Sequence, residues 1–340
     1  MGSILVVNAG STSLKLSSIA EDGSAESVSE FEAAPEDVDA VAHRVVHGGA
    51  RFREPVLVDD EVSARLADLE VLAPLHNGPA LRALAEAKQW FPAVPHIAVF
   101  DTGFHATIPD VAATYAIPLP LREELGIRRY GFHGLSVQWA AEQVPAQRLV
   151  VCHLGGGCSV TAVLDGRSVD TTMGFTPLEG VPMATRSGSV DPGAILHLLR
   201  SGAQSPAELD RVLEHESGLL GLSGLSGDVE ELAGSDHPGA AFALDVFAYR
   251  VAGAVAAMSA ALGGLDALVF TAGIGENAAG VREAVCSRLG FLGVELDHSA
   301  NASAPPDADI ASAESAVRVT VLRAREDVVA ARAARALLAS

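Results

Sequence analysis

Cysteine is scarce in this chain of 340 residues, and the three that occur, Cys152, Cys158 and Cys286, include no C-x-x-C pair. An odd number of such cysteines argues against a disulfide framework and against a structural zinc site. Lysine is scarcer still, since Lys15 and Lys88 are the only two in a chain with a formal net charge of −20. Nucleic-acid-binding proteins usually carry a basic face, so we expect no nucleic-acid partner.

Long apolar runs and targeting signals are also missing. No uninterrupted apolar run reaches the roughly 18 residues that span a bilayer. The N-terminus lacks the basic segment, apolar stretch and cleavage site of a signal peptide. We therefore expect a soluble, cytoplasmic protein without a membrane partner. The apolar content of 49% allows a sizeable core, and the length allows two domains.

The segment ILVVNAGSTSLKLSSI, residues 4–19, places a small polar loop between two β-prone runs. This pattern predicts a strand, a tight turn and a second strand. The turn contains Asn8, Gly10, Ser11 and Ser13, and Lys15 follows it. Asn, Gly and Ser are ordinary turn residues, but backbone N–H groups, hydroxyls and a lysine also form a phosphate cradle. Both interpretations remain open for this stretch alone.

A second stretch, LVVCHLGGGCSVTAVL at residues 149–164, repeats the pattern, with His153 in the place of Asn8. The repeat near mid-chain predicts two related halves. A third strand–glycine junction is expected at residues 266–277, helices at 240–262 and 327–338, and loops or irregular segments at 20–40 and 300–313. Strands that alternate with helices indicate an α/β fold with ligands at the strand ends.

The usual nucleotide-binding fingerprints are missing. No G-x-x-x-x-G-K-[ST] is present, and neither GGGCSV nor GIGENAAG is a proper dinucleotide fingerprint. Three glycine-rich strand turns in two halves instead suit two α/β domains that clamp phosphates between paired hairpins. We therefore predict two actin-like (ribonuclease H-like) domains with a cleft between them, as in actin, sugar kinases and Hsp70.

Clusters of polar residues follow several of the predicted strands. Arg44 lies in AHRVVHGG, Asp101 in AVFDTGFH, His133 in RRYGFHGLS and Arg186 in PMATRSGSVDPG. A single histidine is more often structural, and a loop arginine is usually solvated. Together the arginines could neutralise a transferring phosphoryl group, while a carboxylate and a histidine position the other reactant.

The chain closely resembles the acetate kinases, which convert acetate and ATP to acetyl phosphate and ADP. The resemblance runs from Ile4 to about Ala334, and nine motifs occur in the family's order. They are NAGSTSLK, HRVVHGG, LAPLHN, FDTGFH, RYGFHG, MGFTPLEG, TRSGSVDPG, SGLLGLSG and FTAGIGEN.

The resemblance implies catalytic roles for Arg44, Asp101, His133 and Arg186. Arg44 would hold the acetate carboxylate, and Val46, Leu75, Phe132 and Pro177 would form the pocket for its methyl group. Asn8 and Glu326 would hold Mg2+ or Mn2+, although Glu326 could simply complement the dipole of a helix that it opens. The implied nucleotide-binding residues are Ser11, Ser13, Lys15, His153, Leu154, Gly155, Gly156, Gly157, Asp228, Val229, Glu230, Gly273, Ile274, Gly275, Glu276 and Asn277.

The expected domains are residues 1–148, with the acetate side and the first phosphate loop, and residues 149–340, with the second phosphate loop and the adenosine pocket. The C-terminal helix is expected to return to the first domain. The family is typically homodimeric through its second domain. Two alternatives stay open: a propionate or butyrate kinase, and a non-catalytic relative that only binds nucleotide.

Three departures from the family pattern stand out. The segment 14–42 is shorter than usual, so a peripheral part of the first domain is expected to be trimmed. Glu230 occupies a position where the family usually has arginine, beside the adenine pocket. Gly156 replaces the asparagine of a Gly-Asn-Gly loop.

Overall fold

The first sheet is built by the N-terminal part of the chain. A computed structural model describes residues 2–9, 14–35, 37–69 and 74–340, with only the backbone at 74–76. Within these ranges the sheet contains β1 (Ser3–Ala9), β2 (Leu14–Ile19), β3 (Ala25–Val28), β4 (Val38–Val45), β5 (Val56–Leu57) and β6 (His96–Phe100). The strand order is β3-β2-β1-β4-β6-β5, with β1, β4 and β6 parallel and the others antiparallel to their neighbours.

The second sheet repeats this arrangement. Its strands are β7 (Arg148–Leu154), β8 (Cys158–Leu164), β9 (Arg167–Thr171), β10 (Ala267–Thr271), β11 (Ala308–Asp309) and β12 (Arg318–Leu322). The order β9-β8-β7-β10-β12-β11 matches the first sheet strand for strand, including the short antiparallel edge strand. The predicted repeat and the predicted strand pairs β1–β2 and β7–β8 are confirmed, while residues 10–13 of the first predicted turn lie outside the described residues.

Fourteen α-helices are present in the described part of the chain, and some of them connect the parallel neighbours β4–β6, β7–β10 and β10–β12. They are α1 (Asp60–Asp68), α2 (Pro74–Trp90), α3 (Asp110–Ala113), α4 (Leu119–Leu125), α5 (Gly134–Gln143), α6 (Pro192–Arg200), α7 (Pro206–His215), α8 (Gly218–Ser223), α9 (Val229–Ala233), α10 (Pro238–Leu262), α11 (Ala272–Asn277), α12 (Ala279–Cys286), α13 (His298–Ala302) and α14 (Glu326–Leu338). Among the described residues, short 3-10 helices cover Phe31–Ala33, Gly103–Thr107 and Gly290–Leu292.

The first sheet is covered by helices on both faces. Ala83 of α2 packs with Val41 on one face, and Val329 of α14 packs with Ile4 and Ala42 on the other. The last helix of the chain therefore lies against the first sheet, next to β1 and β4. This places the N-terminus of α14 at the same end of the molecule as the ends of β1 and β4.

The long helix α10 covers the second sheet, where Phe247 and Val251 pack against β7 and β8. Within the described ranges it is the one helix long and apolar enough to cross a membrane by length and composition. Asp245 and Arg250 interrupt its apolar sequence, so it contains no uninterrupted apolar run of membrane-spanning length. One side of α10 belongs to the core of the second half.

Several local predictions need correction. Asn8 lies inside β1, where it pairs with Lys15, and not in the turn. Residues 20–40 include β3, and residues 300–313 include β11 and the end of α13. The glycines after β10 belong to α11, because tertiary packing overrides the weak helix propensity of glycine there. The three cysteines are free, as expected, and all three are buried.

Candidate active site

A cleft of about 510 Å³ lies between the two sheets, at the ends of β1, β4 and β7 and at the start of α14. The duplicated fold explains its composition. Asn8 is the penultimate residue of β1 and His153 is the penultimate residue of β7, so both face the same opening. The sequence-predicted residues that line it are Asn8, Lys15, Arg44, His133, His153, Gly155, Gly156, Gly273, Glu276 and Glu326.

Arg44, near the end of β4, contacts three other predicted residues. Its Nε and Nη2 donate to Oδ1 and Oδ2 of Asp101 at 2.8 and 2.6 Å. Its Nη1 donates to Oδ1 of Asn8 at 3.0 Å and lies 3.2 Å from Oε2 of Glu326. Asp101 follows β6 and is fully buried beneath the cleft. The guanidinium is therefore held by Asn8 on β1, by Asp101 directly after β6 and by Glu326 at the start of α14.

The electrostatics of this cluster favour a permanent cation. Burial by itself would lower the pKa of Arg44, but the carboxylates of Asp101 and Glu326 outweigh it and raise this pKa. Burial raises the pKa of Glu326, and Asp101 adds to the rise, although Arg44 opposes it. A further cation in the cleft would favour the ionised form of Glu326.

Asn8 and Glu326 fit a divalent metal ion. They are oxygen donors, and both line the cleft beside Arg44. Magnesium is usually bound by one or two such side chains together with substrate phosphates and water. In the described residues no group of three or more His, Cys, Asp or Glu side chains forms a metal cluster. The donor set is therefore suited to a metal that arrives with a phosphate ligand.

Two histidines form a stacked pair across the cleft. The rings of His133 and His153 lie 3.9 Å apart, and their Nδ1 atoms hydrogen-bond to Ser159 and Ser136 at 3.0 and 2.8 Å. Burial lowers the pKa of His153 to about 3. The pKa of His133 falls well below its usual value because of burial, with further lowering by His153 and the nearby arginines. Both rings are neutral at physiological pH.

The backbone at His133 is fixed by close packing. His133 has a φ of 59°, in the left-handed region that non-glycine residues seldom adopt. The N–H of Gly134 donates to the carbonyl of Asp101 at 3.0 Å, and a Cβ on Gly134 would overlap that carbonyl. Glycine at 134 therefore lets the start of α5 approach Asp101, which holds His133 at the cleft.

Arg186 approaches His133 at Gly157. A Cβ built on Gly157 would lie 3.3 Å from Nε2 of His133 and 3.4 Å from Nη1 of Arg186. Nη1 of Arg186 also donates to the carbonyl of Pro177 at 3.3 Å, and its Nε lies 3.2 Å from Oε2 of Glu214. Burial lowers the pKa of Arg186, and Glu214 opposes this shift.

The predicted methyl pocket is partly visible. Val46 and Phe132 are buried in one hydrophobic cluster, and Pro177 is buried beside Arg186. Leu75 lies in the first turn of α2, and its side chain falls outside the described residues. Ser11 and Ser13 also fall outside the described residues. Of the three residues predicted for the first phosphate loop, only Lys15 belongs to the described residues.

The remaining predicted nucleotide segments differ in exposure. Leu154 ends β7 and is buried. In α11, Gly275 is buried, Ile274 is half-buried and Asn277 is exposed. Asp228 caps α9 by accepting the N–H groups of Glu230 and Glu231, so its carboxylate has a structural role. Val229 is buried and Glu230 is exposed. Neither Asp228 nor Glu230 lines the cleft described above.

Two residues near the site escaped the sequence interpretation. Glu214, in α7, pairs with Arg186, but its sequence neighbours are ordinary polar helix residues. Arg282 is 2% exposed and donates to the carbonyls of Gly275 and Glu276 and to Asn301. It holds the end of α11 from inside the protein. Apolar residues one helical turn away on either side of Arg282, such as Ala278 and Val285, were the available signal, and they also fit an exposed helix residue.

Comparison with known proteins agrees with this geometry. The model of the acetokinase family matches residues 25–332. The acetate kinase of Gloeobacter violaceus is 50% identical over 311 residues, which cover 88% of this chain and 76% of that protein. The acetate kinase of a Nostoc species is 47% identical over 302 residues, covering 86% and 74%.

Solved structures show the same fold. A propionate kinase from Francisella tularensis has a TM-score of 0.90 at 35% identity, covering 98% of this chain and 99% of that one. The acetate kinase of Porphyromonas gingivalis has a TM-score of 0.87 at 31% identity, covering 99% and 100%. The fold is thus two actin-like domains, and the protein is a phosphotransferase that acts on a carboxyl group. The chain belongs to the acetokinase family.

Proposed function

We propose that this protein transfers a phosphoryl group reversibly between ATP and acetate, giving acetyl phosphate and ADP by direct in-line transfer. The observation that carries the proposal is the convergence of His133 and Arg186 on Gly157, beside the anchored guanidinium of Arg44. Two cationic side chains thus lie near the neutral imidazole of His133, which lines the cleft together with Arg44. Such preorganised groups stabilise a transferring phosphoryl group more than they stabilise the ground state.

The chemistry requires charge neutralisation and does not require a strong base. An acetate carboxylate is already a nucleophile, so the main obstacle is repulsion between two anions. Arg44 would hold the carboxylate, while Arg186 and His133 contact the phosphoryl group. Asp101 is committed to two hydrogen bonds with Arg44, so we assign it the orientation of that arginine and not proton abstraction.

The family implies a divalent metal ion that acts with ATP, and we propose Mg2+, with Mn2+ as a substitute. Asn8 and Glu326 would hold it, and it would neutralise phosphate charge when bound. The proposed phosphate contacts are Lys15 and the turn from Gly155 to Gly157. The segment from Gly273 to Asn277 would bind the rest of the nucleotide.

A propionate kinase is the second candidate, because one solved relative at 35% identity carries that name. A pocket discriminates against one extra methylene by only about 1–3 kcal/mol, so some use of propionate is expected in either case. The test is a substrate matrix of acetate, propionate and butyrate against ATP, GTP and pyrophosphate. The highest kcat/KM for acetate with ATP supports the proposal. A higher value for propionate favours the second candidate, and no acyl phosphate from any pair contradicts both.

We further propose a cytoplasmic homodimer that forms through the second half of the chain. The free, buried cysteines suit a reducing compartment. In α6 no residue is buried, although Leu196 is apolar, and α10 exposes Phe242 and Tyr249 at 59% and 64%. Light scattering after gel filtration should give twice the chain mass for the wild type. The Leu196→Glu variant should shift toward the monomer, whereas a monomeric wild type would contradict the proposal.

A further inference from the structure

The segment 172–180, here called the acyl loop, carries Pro177 of the proposed methyl pocket. Two side chains outside this segment, His47 and Arg186, donate hydrogen bonds to its backbone carbonyls. Nδ1 of His47 accepts the N–H of Gly49, so Nε2 is protonated and donates to the Phe175 carbonyl at 3.2 Å. Because His47 follows Val46 directly, this bond holds the loop beside the backbone that carries another predicted pocket residue. The Pro177 carbonyl accepts from Arg186 at 3.3 Å.

A side-chain cluster holds the loop from a third side. The Tyr115 hydroxyl donates to Oε2 of Glu179 and accepts the Phe175 N–H, the latter at 3.0 Å. Arg129 donates to Oε1 of Glu179 at 3.1 Å and to the carbonyls of Thr172 and Met173 at 3.0 and 3.1 Å. The guanidinium also lies over the Tyr115 ring, 5.7 Å from its centroid. One hydroxyl therefore joins the backbone of the loop to the Glu179 side chain.

The cluster is closely fitted to the loop. A Cβ on Gly174 would overlap both the Glu179 carboxylate and the Tyr115 hydroxyl, so glycine is needed for them to meet there. Burial, and next the hydrogen bond to Glu179, raise the pKa of Tyr115, so its hydroxyl remains a donor. Tyr115 and Arg129 precede β7, whereas the loop follows β9. The contact thus joins the two halves of the chain beside the proposed acyl site.

We propose that Tyr115, Arg129 and Glu179 are positioning residues that fix the acyl loop and thereby limit the length of the acyl chain. None of the three lines the nucleotide cleft. Their effect passes through Phe175 and Pro177 to the pocket wall. The proposal rests on the proposed function. It predicts that loosening the cluster changes acyl selectivity and leaves the use of ATP almost unchanged.

The test compares Tyr115→Phe with Glu61→Gln, which removes an exposed ion pair with Arg65 on α1 and serves as the control. The kcat/KM values for acetate and propionate and the KM for ATP are measured for each. A pocket distinguishes one methylene by about 10- to 200-fold, so a loosened pocket should raise the propionate-to-acetate ratio by about three- to tenfold. The KM for ATP should stay within about twofold, the limit we set for an indirect effect. A purely structural role would lower activity with both acids equally.

Glu179→Gln provides a second variant if Tyr115→Phe does not fold, and it should change the ratio in the same direction. In the double variant the change should be smaller than the product of the single changes, because both act through one hydroxyl–carboxylate contact. An unchanged ratio in folded variants of an active enzyme overturns the positioning role alone. A wild-type enzyme that forms no acyl phosphate overturns the proposed function, and the positioning role with it.

Discussion

Arg44 and Asp101 form a paired hydrogen bond, with Nε to Oδ1 at 2.8 Å and Nη2 to Oδ2 at 2.6 Å. The pair lies under the cleft, and Asp101 is inaccessible to solvent. Because both carboxylate oxygens are engaged by the same guanidinium, Asp101 fixes the plane of Arg44. The remaining donors of Arg44 then point toward Asn8 and Glu326.

Asp101→Asn should therefore impair both stability and turnover. Removing one partner of a buried pair costs about 3–5 kcal/mol of unfolding free energy, and a misplaced substrate-holding group costs on the order of 100-fold in rate. Urea unfolding and acetyl phosphate formation measure the two effects. Glu142→Gln, which removes an exposed ion pair with Arg332, is the control. Full activity in Asp101→Asn would show that Asp101 does not position Arg44.

Glu214→Gln should separate Arg186 from its carboxylate partner. Loss of this largely buried ion pair lets the guanidinium of Arg186 shift, and a misplaced reacting group costs on the order of 100-fold, so kcat should fall by about that factor. The KM for acetate should change little, because Arg44 is assigned to the carboxylate. Glu216→Gln, on the exposed end of α7 and paired with Arg211, should behave like the wild type. Equal kinetic constants in the two variants would show that Glu214 does not position Arg186.

Gly156→Asn should be tolerated and should strengthen nucleotide binding. A Cβ at Gly156 meets no atom within 4 Å, and Gly156 has no positive φ. An asparagine there could donate to a phosphate, which should lower the KM for ATP by roughly ten- to a hundredfold. Gly157→Ala is the contrast, because its Cβ would crowd His133 and Arg186 and should lower kcat. An unchanged KM in a stable Gly156→Asn enzyme would mean that this turn does not contact the phosphates.

Glu230→Arg should sharpen the preference for ATP over GTP, since a guanidinium offers stacking and hydrogen bonds that a carboxylate cannot. Glu230 is exposed in the first turn of α9, so the longer side chain fits without repacking. Loss of an acidic residue there costs about 0.3–1 kcal/mol in helix stability. Glu230→Gln controls for that loss. If the ATP-to-GTP ratio of kcat/KM matches in both variants, position 230 does not contact the base.

Acid should destabilise the protein through its buried histidines. Burial lowers the pKa values of His47 and His105 to about 4, against about 6.5 when unfolded. The unfolded chain then binds more protons below pH 6.5, so stability falls as pH falls from 6.5 toward 4. The two together should contribute a loss of about 3 kcal/mol between pH 6.5 and 5. The urea midpoint should change less steeply with pH in His105→Asn than in the exposed control His298→Gln. Equal pH dependence in the two variants would show that His105 does not contribute to the acid destabilisation.

The sequence predicted those parts of the site that repeat or follow strands. Asn8 and His153 occupy equal positions in duplicated strands, and the alternation of strands and helices predicted the α/β class. Glu214 could not be found this way, because its pairing with Arg186 depends on how α7 packs against a distant loop. Arg282 was missed for a similar reason. Its partners are backbone carbonyls and one amide, which no side-chain pattern reveals.

The helix at Ala272–Asn277 shows a different limit. Its glycines favour a turn by propensity, but Gly275 packs so closely on Phe270 that a Cβ would lie 3.2 Å from the Phe270 carbonyl carbon. Arg282 then binds the carbonyls at the end of the helix. Tertiary contacts of this kind decide the local structure, and they are absent from any short window of sequence.

The most direct measurement is acetyl phosphate formation by wild type and Arg186→Ala in a hydroxamate assay with acetate, ATP and Mg2+. We predict an active wild type and a loss of roughly 10²–10³-fold or more in the variant, because one stabilising group is removed from the transferring phosphoryl group. Far-ultraviolet circular dichroism checks that the variant is folded. An inactive wild type, or near wild-type turnover in folded Arg186→Ala, would contradict the account.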